Sequence, residues 1–221
     1  KSRQIHIDAC DYLASIQTLD GMFDGRIYVG FALNGLTWLA SEDPKYLDAA
    51  RRLAYGYRDH FDPTHTNTVN WEWGYMGVFL AEYYLQTGDE SIKPLAHAVG
   101  AALARSQLPC GTWGHGPFPA PSYVQGGALN NCGLVCWMAL VLLDEAGVEV
   151  SPVALKRSTR FFKRFTHRGG VPYGDHRPEF GGGNGKNALP GIVLNILGDK
   201  AGSEYYARLV TGSYEGRHAG H

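Results

Sequence analysis

Glu72 stands between two indoles in Asn70-Trp-Glu-Trp-Gly-Tyr75, and Asp175-His176 closes a glycine-rich stretch, Gly169-Gly-Val-Pro-Tyr-Gly-Asp-His176, with Glu179 close behind. Hydrolysis or lyase chemistry needs an acid and a base, and Glu72 with Asp175 or His176 is the pair that these types offer. His115, following Trp113-Gly114, suits substrate positioning or proton transfer near neutral pH. Apolar flanks would raise the Glu72 pKa while a helix N-terminus would lower it, so the sign is open. Around these groups lie Trp71, Trp73, Trp113, Tyr173, Asn130, Asn131 and Asn187 as candidate substrate contacts. Flat aromatic faces beside amides and carboxylates suit a sugar ring, with its apolar C–H faces and its hydroxyls.

Each of these residues also has a plainer reading. Glu72 is equally a first-turn helix charge, and Asp175-His176 are equally residues that fix a tight turn. His115 is placed to cap the carbonyls of a preceding helix, and Asn130-Asn131 to cap the N-terminus of a following one. Trp71 and Trp73, two apart on a helix, diverge by about 200°, so one lines a cavity and the other packs between helices.

Composition narrows the classes. With 221 residues the chain buries roughly 70% of its unfolded surface without help from metal or disulfide. A net charge of −1 removes the electrostatic case for nucleic acid. The apolar runs Leu134 to Leu143 and Met76 to Leu80 are too short for a membrane span. Cys10, Cys110, Cys132 and Cys136 form no CxxC pair; the last two read as small core residues, and a Cys10–Cys110 pairing stays open. No metal and no cofactor is expected, and no P-loop, GxGxxG or GxSxG occurs.

Positioning those side chains falls to helices. Helical periodicity predicts segments near 3–17, 29–41, 45–60, 72–87, 90–106, 128–147, 152–166, 186–197 and 201–212, with no convincing strand. Asp43-Pro44 and Ser151-Pro152 are start signals, and Gly88-Asp89, Gly147 and Gly198-Asp199 are stops between paired helices. Longer loops separate the pairs and share a glycine-aromatic texture, in Asp20 to Gly25, Cys110 to Gly116, Gly169 to His176 and Gly212 to Gly216. With Phe61 to Trp71 in the equivalent place but without the glycines, these loops recur about every 45–50 residues, with an insertion around Phe118 to Gln125. The expected fold is all-α: an α/α toroid of about four and a half helical hairpins in one domain over residues 1–221. The loop-facing ends of the inner helices would form its mouth and carry the site.

Two loops are more specific. Gln17-Thr-Leu-Asp-Gly21-Met-Phe23 and Gln107-Leu-Pro-Cys-Gly111-Thr-Trp113 both fit Gln-x-x-x-Gly-x-aromatic, which resembles the QW repeat of triterpene cyclases. The wider relatives of that repeat are the α/α-toroid proteins: terpenoid cyclases, prenyltransferase β-subunits, lanthionine cyclases and (α/α) glycosidases and lyases. The Asp-rich acid or magnesium clusters of terpene cyclisation are absent, as is the zinc pattern of the prenyltransferases, so neither chemistry carries over. Asn70 to Tyr75, Gly111 to His115, Gly174 to His176, Asn184 to Asn187 and Gly216 to His221 also resemble a bacterial domain family of unknown function. That resemblance implies a toroid continuing beyond His221, so the chain is expected to be a segment that contacts further parts of its own protein.

The sequence thus favours a carbohydrate-active enzyme, a glycoside hydrolase or polysaccharide lyase, acting on a small-molecule or oligosaccharide substrate. A non-catalytic module binding a glycan or peptide is the first alternative, and a terpenoid cyclase or prenyltransferase-like protein the second. The compartment is not fixed; a secreted or periplasmic one is favoured.

Overall fold

Proline and short polar side chains start several of the helices in the computed structural model, which describes residues 2–25, 28–65, 69–117, 127–174 and 185–218, with backbone alone at 28, 185 and 213–218. Nine α-helices occur among the described residues: α1 Ser2–Ser15, α2 Tyr28–Leu39, α3 Leu47–His60, α4 Val69–Thr87, α5 Lys93–Ser106, α6 Asn130–Glu145, α7 Pro152–Lys163, α8 Ala188–Ile196 and α9 Lys200–His218. Three-residue 3-10 turns, Pro44–Tyr46, Glu90–Ile92 and Gly185–Asn187, lead into α3, α5 and α8. No strand forms among these residues; Gln17 and Phe23 make one isolated bridge.

Side-chain caps fix the starts. Asp43 accepts from the Lys45 N–H at 3.0 Å, Asp89 from Ser91 at 3.0 Å and Ser151 from Ala154 at 3.3 Å. These oxygens take up backbone donors that a first helical turn leaves unpaired. The expected start signals at Asp43 and Ser151 are therefore realised, and Asp89, expected to stop one helix, also begins the next.

Two kinds of helix alternate. α4 and α6 are apolar almost all round and largely buried, whereas α3 and α7 bury one face and expose Asp48, Arg51, Lys156 and Arg160 on the other. The apolar helices pack in chain order, α2 on α4, α4 on α6 and α6 on α8, with α4 against α6 the most extensive contact. A Cβ on Gly77 would sit 2.9 Å from that of Ala139, so the glycine is what lets these two backbones close. One continuous core runs from Cys10 through Trp38, Phe79, Trp137 and Phe162 to Tyr206. The fold is all-α, and its helix packing is compatible with an arc of an α/α toroid.

The two Gln-x-x-x-Gly-x-aromatic loops have one geometry. Gln17 Nε2 donates to Gly21 O (2.8 Å) and to Ala49 O in α3 (2.9 Å). Gln107 Nε2 donates to Gly111 O (3.2 Å) and to Ala154 O in α7 (3.0 Å). Thr18 N–H to Met22 O (3.0 Å) is matched by Leu108 N–H to Thr112 O (2.9 Å). Gly21 and Gly111 hold φ of 84° and 111°, and a Cβ on either would strike the carbonyl of Arg52 or Arg157. Each glutamine therefore ties the end of one outer helix to the start of the next outer one. Phe23 and Trp113 drive inward: Phe23 stacks on Trp38 at 5.9 Å, and the Trp113 indole donates to Leu103 O at 2.8 Å.

Candidate functional site

The loop-side ends of α4, α6 and α8 are held by asparagines. Asn70 donates its backbone N–H to His115 O (3.1 Å) and its amide to Gly114 O (3.1 Å). Asn130 repeats this one hairpin on: its N–H reaches Tyr173 O (2.9 Å), and its amide reaches Pro172 O (3.0 Å) and Gly174 O (2.8 Å). The Asn130 carbonyl accepts from Thr112 Oγ1 (3.1 Å) in the preceding loop. Asn187 Oδ1 accepts the Val171 N–H at 2.9 Å. These amides are buried, and loop backbone groups satisfy most of their polar atoms; Asn70 Oδ1 finds no partner among the described residues.

That framework places four of the expected substrate contacts in the interior. Trp113 and Asn130 have no exposed surface and Asn187 only 5%, so they shape the loops and present no face to a substrate. Nor does Asn130 cap α6 with its side chain. Trp73 is buried as well, packing edge-on against Phe61 at 6.2 Å, while its neighbour Trp71 stays half-buried at the loop end. The expected divergence of the two indoles is observed.

Trp71 and Glu72 begin the exposed part of the site. The Trp71 indole N–H donates to His115 Nδ1 at 2.9 Å, which places the ring proton of neutral His115 on Nε2. His115 is thereby tied to the start of α4 through both its ring and its carbonyl. Glu72 is half-buried and has no hydrogen-bond or ion-pair partner among the described residues. Burial raises its pKa to about 7. The Tyr57 phenol of α3 is driven well up, first by burial and then by the Glu72 charge.

Across from α4, Asn131 is half-buried with a carbonyl oxygen that finds no partner among the described residues. Tyr75 of α4 is half-buried, its phenol raised by burial and then by Cys132. Tyr173 is 40% exposed, with the Lys186 ammonium 6.0 Å from its ring centre; burial lowers the Lys186 pKa. Asp175, His176 and Glu179 lie outside the described residues.

Asn70, Tyr57 and Tyr75 were not singled out by sequence. Tyr75 was within reach, being one helical turn on from Trp71 and Glu72. Tyr57 comes from another helix and carries no local signal. None of the four cysteines forms a disulfide, so Cys10 and Cys110 are not bridged; Cys132 and Cys136 are buried with sulfurs 4.0 Å apart, and Cys136 donates to Asn70 O. Among the described residues no three His, Cys, Asp or Glu side chains converge as metal ligands. No helix there is long and apolar enough to cross a membrane.

Fold and site together define an all-α protein of helical hairpins whose polar groups gather where the inner helices meet their loops. The chain belongs to a family described as a domain of unknown function (DUF6288), which matches residues 2–221. No curated protein and no solved structure matches it.

Proposed function

We propose that this chain is an arc of an α/α toroid, akin to the terpenoid cyclase and prenyltransferase toroids in its loops, and that it is a carbohydrate-active enzyme. The reaction is glycoside hydrolysis or polysaccharide lysis at the loop ends of α4 and α6. The observation that carries this reading is Glu72: a carboxyl without a described partner and with a pKa near 7 is ready to give a proton at neutral pH. It sits next to Trp71, whose half-buried ring offers a face for a sugar.

In hydrolysis Glu72 protonates the glycosidic oxygen as the bond to the anomeric carbon breaks. Asp175 or His176 takes a proton from the attacking water, so the sugar gains hydroxyl and the leaving group gains hydrogen. His115 holds Trp71 in orientation through the indole hydrogen bond. Turnover of an oligosaccharide panel tests this. Glu72→Gln should lose about 10²-fold or more in kcat, and Asp175→Asn or His176→Ala a comparable amount. Active enzyme is expected to fade above about pH 7 as Glu72 loses its proton. Undiminished turnover in Glu72→Gln would overturn the assignment; cleavage by none of the proteins, with a glycan recovered bound and intact, would select the binding module.

A further inference from the structure

The amphipathic helix α7 carries a second feature. Between residues 150 and 174 the sequence holds six Lys and Arg and no Asp or Glu. A groove of about 660 Å³ runs along this helix, within the size range of small-ligand sites. Val150, Pro152 and Leu155 make an apolar wall, and Lys156, Arg160 and Lys163 line it with cations.

The equivalent face of α3 shows what is unusual here. The matched glutamine and glycine contacts set Ala49 against Ala154 and Arg52 against Arg157. In that register Leu47, Asp48, Arg51 and Tyr55 correspond to Pro152, Val153, Lys156 and Arg160. The groove on α3 is smaller, about 430 Å³, and it neutralises itself. Arg51 pairs with Asp48, and the Tyr55 hydroxyl donates to Asp89 at 3.1 Å.

On α7 the acid has become Val153 and the tyrosine Arg160. Asp199, which caps α9 as Asp89 caps its own turn, is taken by Lys163 at 2.6 Å. Lys156 and Arg160 have no ion-pair partner among the described residues, and Asp144, which also lines the groove, pairs with neither. Apolar wall and uncompensated cations thus stand together in one cleft.

We propose that this groove binds an organic acid with an aliphatic body, its carboxylate on Lys156 and Arg160 and its chain along Val150, Pro152 and Leu155. A neutral sugar leaves the cations unpaired, and a small inorganic anion leaves the wall wet. The site is independent of the carbohydrate reading and needs no turnover to test.

Trp137 supplies the reporter. Its indole N–H donates at 3.0 Å to Thr159 Oγ1, and Thr159 lines the groove. Titration of the isotopically labelled protein with decanoate should shift the Trp137 indole resonance saturably, with acetate and uncharged decanol each weaker by about tenfold. Lys156→Met and Arg160→Met should each weaken decanoate about five- to tenfold, while Arg51→Met on α3 leaves it unchanged. Both groove positions are exposed, and a retained helical circular dichroism spectrum confirms the fold. No movement of the Trp137 signal at millimolar decanoate, equal affinity for decanol, or unchanged affinity in the Lys156→Met/Arg160→Met double variant would each overturn the proposal.

Discussion

Glu72 ties pH to stability. Its folded pKa of about 7 lies above the ordinary value of 4.5, so between those limits the folded chain binds more protons than the unfolded one. Its contribution is therefore intact below about pH 4.5 and is lost as pH rises through 7, a loss on the order of 2 kcal/mol once solvent screening of this partly exposed carboxyl is allowed for. Glu72→Gln should flatten the urea midpoint between pH 5 and 8 and make the variant more stable than the parent at pH 8. A variant with the same slope as the parent would show that another group dominates. Asn130 poses the opposite case, since its amide and carbonyl together hold two loops. Asn130→Ala leaves the Pro172 and Gly174 carbonyls without their donor and should cost about 2–4 kcal/mol in chemical denaturation.

At the scale of the element, the Gln-x-x-x-Gly-x-aromatic loop is a joint whose parts fail separately. Gln107→Leu removes the donor to Gly111 and Ala154 and should cost about 1–3 kcal/mol. Gly111→Ala meets both a left-handed φ and the Arg157 carbonyl, 2.7 Å from the new Cβ, so it should cost more, about 3 kcal/mol or beyond. If urea melts ranked these two the other way, the glutamine rather than the glycine would be the constraint. Gln17→Leu should be the more damaging glutamine change, because Gln17 also accepts from Arg52 at 2.8 and 3.1 Å and would leave that guanidinium partly unpaired.

Across the whole molecule, stability follows the neighbours each hairpin has. α4 is gripped by α2 on one side and α6 on the other, whereas α9 packs mainly on α8. In such nearest-neighbour architectures the least flanked unit opens first. Amide hydrogen exchange should be slowest in the middle of α4 and α6 and clearly faster in α8 and α9; uniform protection along the chain would mean a cooperativity wider than the packing suggests.

Local chemistry was written in the residues themselves. Periodicity, Asp43-Pro44 and Ser151-Pro152, and the glycine stops located the helices, because the groups that start and end a helix lie within a few residues of its ends. The two glutamine loops were readable for the same reason: their turn bonds, from Gln17 to Gly21 and from Gln107 to Gly111, are local. What the residues could not declare was burial and long-range pairing. Whether Trp71 or Trp73 reaches the surface, that Trp113 and Asn130 are internal, that Tyr57 feels the Glu72 charge, and that burial raises the Glu72 pKa were decided when distant helices packed. Desolvation depends on everything surrounding a group, and that sum exists only in the assembled fold.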